Sequence, residues 1–215
     1  MAGVAERLAE VRARIAAAGG DAGAITLVAV SKGARPASVA AAREAGLTDF
    51  GENYAHELVA KAATAGAGAR WHFLGAVQRR KVRDIAPLVH LWQSVDRLAE
   101  GEEIARHAPG AGVLVQVEVT GDAGRNGCRW DEVPGLVDDL RALALDVRGL
   151  MCIGPRHDPR PAFRRLSVTA RALELSEVSM GMSGDLEAAV QEGATMVRVG
   201  NALFGPRPAP ARLRR

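Results

Sequence analysis

What this chain has little of narrows its reading first. Only 4% of its 215 residues are aromatic, with a single tyrosine, Tyr54, and the net charge is no more than +3. No basic stripe alternates with aromatics, so a nucleic-acid surface built on stacking and phosphate contacts is disfavoured. Arg79-Arg80-Lys81 and Arg212-Leu-Arg214-Arg215 read as solvated surface. No apolar run approaches the length of a membrane span. The opening segment, with Glu6, Arg7, Glu10, Arg12 and Arg14, lacks the apolar core of a secretory leader. The only cysteines, Cys128 and Cys152, are expected to be reduced thiols in a cytoplasmic protein. Five histidines (56, 72, 90, 107 and 157) show no pairing at metal-ligand spacing, which argues against zinc.

What is present is a core: 48% of the residues are hydrophobic, enough for one full domain. Val4, Leu8, Val11 and Ile15 recur at steps of four, three and four and predict an amphipathic helix within residues 1–18, ended by Gly19-Gly20-Asp21. Short apolar runs then alternate with helical patterns. The runs are Ile25–Val30, Asp49–Gly51, Trp71–Leu74, Leu91–Val95, Val113–Val119, Val147–Met151, Glu177–Ser179 and Met196–Val199. Between them Pro36–Ala45, Tyr54–Ala65, Val77–Ile85, Arg97–His107, Trp130–Leu143, Pro161–Leu173 and Leu186–Glu192 read as helices. Repeated strand–helix units need a parallel sheet. Eight of them fit a single (β/α)8 TIM barrel, an α/β fold, over residues 1–215, with 208–215 a flexible tail. The rival is an open doubly wound sheet, but no G-x-G-x-x-G opens the first unit.

In such a barrel the strand C-termini form the active face. The unusual residues gather there: Lys32, the Gly51-Glu52-Asn53 turn, His72, Met151-Cys152-Ile-Gly154, Ser183, and Arg198 through Asn201. Two small-residue turns near one another suit a phosphate, and a strand-end lysine suits an aldehyde held as a Schiff base. Each residue has a plainer reading. Lys32 reaches water or is an amine made nucleophilic by desolvation. Ser183 caps a helix starting there and running to Ala189, and Asn53 caps the helix after it. Arg198, inside an apolar strand, is ion-paired or faces the barrel mouth. His72, between Trp71 and Phe73, is a hydrogen-bonded, half-buried ring or a base.

As a set, Ala29-Val-Ser-Lys32, Phe50-Gly-Glu-Asn-Tyr54, Trp71-His-Phe-Leu-Gly75, Gly149-Leu-Met151, Ser179-Met-Gly-Met-Ser183 and Met196-Val-Arg-Val-Gly200 resemble the pyridoxal phosphate homeostasis proteins, the YggS/PROSC family. The resemblance runs from the first helix to Pro206. It implies a barrel similar to the N-terminal domain of alanine racemase, of the fold type III class that binds pyridoxal 5′-phosphate (PLP). Lys32 then matches the lysine forming the internal aldimine. Ser183 matches the serine at the phosphate, beside the backbone of Gly200 and Asn201, and Arg198 matches the arginine facing the pyridine nitrogen. Asn53 resembles a pocket-lining side chain, with Met180, Met151 and His72 as further lining candidates and Arg125 as a basic residue near the cofactor. The chain departs from the family in one extra residue at Gly33-Ala34-Arg35, in Asn201 where a threonine is usual, and in a shortened loop from Ile153 to Arg160.

The implied function is a monomeric PLP carrier in vitamin B6 homeostasis, with little or no turnover and with amino acids or apo-enzymes as possible recipients. An arginine at the pyridine nitrogen leaves the ring a poor electron sink. Racemases on this barrel add a tyrosine from a second domain, which this chain is expected to lack. Other readings are a weak racemase using a water or His72 as base, a cofactor-free Schiff-base lyase or aldolase, and a scaffold for protein partners. Lys61 and Lys81 stand as further amines that could capture PLP.

Overall fold

The computed structural model describes residues 3–122 and 124–205, so the predicted tail at 208–215 lies outside the described residues. Eight strands close into a barrel in chain order, each parallel to the next: β1 (Thr26–Val30), β2 (Asp49–Glu52), β3 (Arg70–Phe73), β4 (Val89–Val95), β5 (Gly112–Val117), β6 (Asp146–Cys152), β7 (Glu177–Ser179) and β8 (Met196–Val199). The open-sheet alternative is thereby excluded, because β8 pairs back onto β1 with Val28 opposite Arg198 and Ala29 opposite Val199. Helix α1 (Val4–Ala17) precedes the barrel. Helices α2 (Pro36–Glu44), α3 (Ala55–Ala62), α4 (Arg79–Ile85), α5 (Leu98–His107), α6 (Val133–Ala142), α7 (Arg160–Ala172) and α8 (Leu186–Gln191) alternate with the strands, and a short α9 (Asn201–Phe204) follows β8.

Each element forms for a local reason. In α1 the stripe Leu8, Val11 and Ile15 is buried, as the sequence spacing predicts. A proline begins α2, where its fixed φ costs no hydrogen bond. Strand alternation divides the apolar side chains into two sets. The larger set, including Phe50, Trp92, Leu140 and Phe163, fills the space between strands and helices. A small separate cluster of Val28, Leu91, Leu114, Met151 and Met196 occupies the barrel interior. His72, Gln93, Ser179 and Arg198 are also buried, and they are bonded to one another across the interior. The lumen is therefore part apolar and part polar.

Packing inside is close. A Cβ on Gly149 would lie 1.8 Å from the Glu177 carbonyl oxygen, a backbone atom of the next strand that cannot swing aside. At one end of the barrel Asp49 collects four donors. Arg70 Nε and Nη2 reach it at 2.8 and 2.6 Å, Thr48 Oγ1 at 2.8 Å, and His72 Nε2 at 2.9 Å. Burial alone would raise the Asp49 carboxyl, but the bonds from His72, Arg70 and Thr48 outweigh it and hold the group well below its usual range.

Two outcomes follow from this packing. Gly149→Ala is expected to destabilise the protein by about 3 kcal/mol, measured by urea unfolding. For Asp49 the depressed folded value means that its contribution is present above the unfolded value of about 3.9 and is lost as pH falls below it. Asp49→Asn should therefore cost about 2 kcal/mol at neutral pH. The gap to the wild type should narrow in unfolding curves taken below about pH 4.

Candidate functional site at the barrel mouth

Lys32 lies in the loop between β1 and α2, and that loop is fastened on both sides of the lysine. Ser31 Oγ donates to Glu52 Oε1 at 2.6 Å. Lys61 Nζ donates to the Ser31 carbonyl at 2.7 Å and to Glu52 Oε1 and Glu57 Oε2, both at 2.6 Å. The Gly33 N–H donates to Glu57 Oε2 at 2.8 Å, and the Ala34 N–H to the Ser31 carbonyl at 2.8 Å. Gly33 has φ +72°, a conformation suited to glycine. The Gly33-Ala34-Arg35 segment thus begins in a tight turn tied to α3.

The electrostatics of this clamp come from burial. Lys61 is 4% exposed and Glu52 is fully buried. Burial pushes Glu52 up, against the hydrogen bonds from Lys61 and Ser31. Glu57 is also pushed up by burial, but its bonds from Lys61 and Gly33 win and lower it. The Lys61 ammonium spends its donors on three acceptors. Lys81, by contrast, is half-exposed and 4.0 Å from Asp84.

The clamped loop borders a cavity of about 690 Å³ at the C-terminal end of the strands. Of the eight residues expected at the site, Lys32, Asn53, Ser183, Arg198, Gly200 and Asn201 line it. They come from the ends of β1, β2, β7 and β8. Met151 lines it too. Asn53 does not cap α3, whose N-cap is Tyr54; its Oδ1 is buried without a hydrogen-bond partner. Ser183 does not cap α8, which begins at Leu186 behind Asp185; its Oγ instead accepts from the Ala202 N–H in the first turn of α9 at 3.3 Å. That bond joins the two small-residue turns.

Arg198 makes no salt bridge among the described residues, although the Asp185 carboxylate acts on it through space. Its guanidinium donates to Ser179 Oγ and to the Cys152 carbonyl, both at 2.7 Å. Burial lowers it from its usual value, although an arginine in a protein stays charged.

Two expectations need correction. His72 does not line the cavity. It is 1% exposed, with Nε2 on Asp49 and Nδ1 2.8 Å from Gln93 Nε2, so both ring nitrogens are engaged inside the barrel by residues of β2 and β4. Met180 is fully buried in the core. Its place at the rim is taken by Met182, because Gly181 at φ +87° turns the chain between them. Arg125 borders a smaller cavity of about 160 Å³ that shares Asn53, Leu74 and Ile153 with the first. Ile153, of the Met151–Gly154 turn expected on this face, lines the main cavity too, and Ser38, Leu74 and Phe204 line it without having been anticipated. Leu74 alone was signalled, by its place at the end of a strand pattern. Both cysteine thiols are free and pushed up to about 12, chiefly by burial, so neither is a ready nucleophile. No group of metal-ligating side chains occurs among the described residues.

Residues 6–208 match the family described as alanine racemase, N-terminal domain. A Pseudomonas aeruginosa protein named pyridoxal phosphate homeostasis protein is 42% identical over 229 residues, spanning 98% of this chain and all of that protein. The solved structure of PipY from Synechococcus elongatus PCC7942 with PLP bound is 33% identical, with a TM-score of 0.81 over 94% of this chain and all of that one. Alanine racemase from Corynebacterium glutamicum shares the fold at 18% identity, with a TM-score of 0.71 over 98% of this chain and 63% of its own. With its barrel, its motifs and these full-length relatives in agreement, the chain belongs to the pyridoxal phosphate homeostasis protein family.

Proposed function

We propose that this protein holds pyridoxal 5′-phosphate covalently through the amine of Lys32 and serves vitamin B6 homeostasis, with little or no turnover of amino acids. The observation that carries the reading is the single cavity that gathers Lys32, Ser183, Arg198, Gly200 and Asn201. The donor set fits the group: an amine for an aldehyde, a hydroxyl and backbone N–H groups for a phosphate, and a guanidinium for the ring. The buried, unpartnered Asn53 Oδ1 at the same cavity is an acceptor that a ligand donor would satisfy. The name of the Pseudomonas relative and the PLP in PipY support the same assignment.

When bound, the cofactor supplies an aldehyde that condenses with amines and a ring that can accept electron density. The protein's own part is to bind and orient. The Lys61–Glu52–Glu57 clamp fixes the backbone on either side of Lys32, so the amine is presented from a rigid turn. Ser183 and the Gly200–Asn201 backbone are assigned to the phosphate; Asn201 keeps the N–H that a threonine would offer there but not the hydroxyl. Arg198 is assigned to the ring nitrogen, where a donor-only group cannot leave a proton behind. His72 cannot act as the base of a racemase from its observed position, because both ring nitrogens are engaged below the cavity. Tyr54 does not line the main cavity and is 55% exposed. These features favour holding over turnover. A monomer that releases the cofactor to other amines, apo-enzymes among them, is the working form of this reading.

The direct test is borohydride reduction of PLP-loaded protein followed by peptide mapping. The label is expected on the peptide carrying Lys32, and Lys32→Ala should abolish both the label and the visible absorbance of the lysine-bound aldehyde. Label on Lys81 alone would overturn the assignment, and no label would overturn the cofactor. Lys61→Met is expected to cost about 3 kcal/mol in stability by stranding two carboxylates. It should also slow PLP capture by Lys32 in stopped-flow absorbance, while Lys81→Met leaves the capture rate unchanged.

A further inference from the structure

A line of hydrogen bonds runs through the barrel interior, from the cavity to the opposite end, across five strands. Arg198 Nη1 on β8 donates to Ser179 Oγ on β7 at 2.7 Å. Ser179 Oγ donates to Gln93 Oε1 on β4 at 2.7 Å. Gln93 Nε2 lies 2.8 Å from His72 Nδ1 on β3, and His72 Nε2 lies 2.9 Å from Asp49 Oδ1 on β2. All five side chains are buried.

With one proton on the His72 ring the chain runs in one direction, because both ends have fixed polarity. A guanidinium only donates and an ionised carboxylate only accepts. Ser179 must therefore accept from Arg198, which leaves its own O–H for Gln93 Oε1. The Gln93 amide then turns its NH2 toward His72, whose Nδ1 must be a bare acceptor with the ring proton on Nε2, facing Asp49. Met196 Sδ lies 2.8 Å from the same Gln93 Nε2 and, as a weak acceptor, favours the NH2 on that side. Reversing the amide would set a bare His72 nitrogen against the Asp49 carboxylate unless the ring gained a second proton. Asp49 is itself held by Arg70, and the His90 ring stands edge-on to His72 at 5.7 Å.

Arg198 has reason to depend on this line. Among the described residues no carboxylate bonds to it; its partners are a hydroxyl and a carbonyl. The Asp185 carboxylate acts on Arg198 through space without bonding it, and a buried cation without a bonded counter-ion is costly unless oriented dipoles face it. We propose that Ser179, Gln93 and His72 are positioning residues, a one-way relay anchored on Asp49 that fixes the Arg198 guanidinium and sets how it is presented to a ligand in the cavity. The ligand arm of the test below rests on the PLP reading; the assignment of the ring proton does not.

The first arm uses the protein as it is. Nitrogen-15 chemical shifts of His72 at neutral pH should report a neutral ring with its proton on Nε2. A proton on Nδ1, or on both nitrogens, overturns the relay whether or not PLP binds. The second arm compares Ser179→Ala and Gln93→Met with the wild type. Each should weaken PLP binding roughly tenfold, the effect of leaving one buried polar group without its partner. Each should also move the pH midpoint of the bound cofactor's absorbance, and the double variant should be no worse than the weaker single variant, because both cut one line. Unchanged affinity and midpoint in variants with wild-type melting would overturn the proposal while leaving the PLP reading intact. If wild type takes up no PLP, the functional reading falls, and the histidine measurement alone decides the relay.

Discussion

The site depends on one constraint, the parallel pairing of the first strand with the last. Val28 lies opposite Arg198 and Ala29 opposite Val199, so the two strands leave the barrel side by side and in the same direction. Lys32 and the Arg198–Asn201 turn, distant in sequence, are thereby brought to one cavity. Because all eight strands are parallel, every strand C-terminus opens on the same mouth. The helix that precedes the barrel secures this seam. Arg14 on α1 bonds Glu187 at 2.6 and 2.9 Å and the Ser183 carbonyl at 3.0 Å, and Arg7 reaches the Leu203 carbonyl at 3.2 Å. The added helix thus buckles down the two turns that follow β7 and β8.

Two buried cations are held in opposite ways. Lys61 sits among carboxylates, and its three bonds convert its charge into rigidity of the Lys32 turn. Such a pair is no sign of extra stability in itself, because desolvation offsets most of the attraction; what it gives is a fixed geometry. Arg198 bonds to no carboxylate among the described residues; Asp185 acts on it through space, and its hydrogen bonds go to a hydroxyl and a carbonyl. A carboxylate in direct contact would neutralise the guanidinium where it faces the cavity. With Asp49 four hydrogen bonds away and Asp185 not bonded to it, more of that positive field stays at the mouth. The half-polar lumen follows from this arrangement.

Most of the architecture was legible because the pattern was redundant. Glu177–Ser179 is only three residues long, yet its flanking helices left few other places for a strand, and its bounds agree with the structure. Lys32, Ser183, Arg198 and Asn201 were legible because strand ends in a barrel share one face. Depth was not legible. His72 and Arg198 each stand third of four residues in their strands, so place in the run does not separate them; His72 is bonded within the lumen to Asp49 and Gln93, while Arg198 reaches the cavity. Met180 and Met182 differ by the turn at Gly181, whose positive φ no periodicity announces. Nor could spacing reveal the clamp: from sequence Lys61 is only a further amine that could capture a ligand, and the fold sets it on the Ser31 carbonyl and Glu52.

The same geometry explains why the polar groups that matter divide between fixed and open surroundings. Ser179, Gln93, His72, Glu52 and Lys61 are buried and bonded, so their positions are set by the strands before any ligand arrives. Met182 and Ile153, each 38% exposed, stand at the rim of the same cavity. Anchors on the strand side restrict how a ligand can lie in the cavity, while the exposed rim leaves its solvent side open. A site that both orients its ligand and lets it be taken away needs this division, because enclosing the lysine on all sides would slow exchange and loosening the strand-side anchors would forfeit specificity.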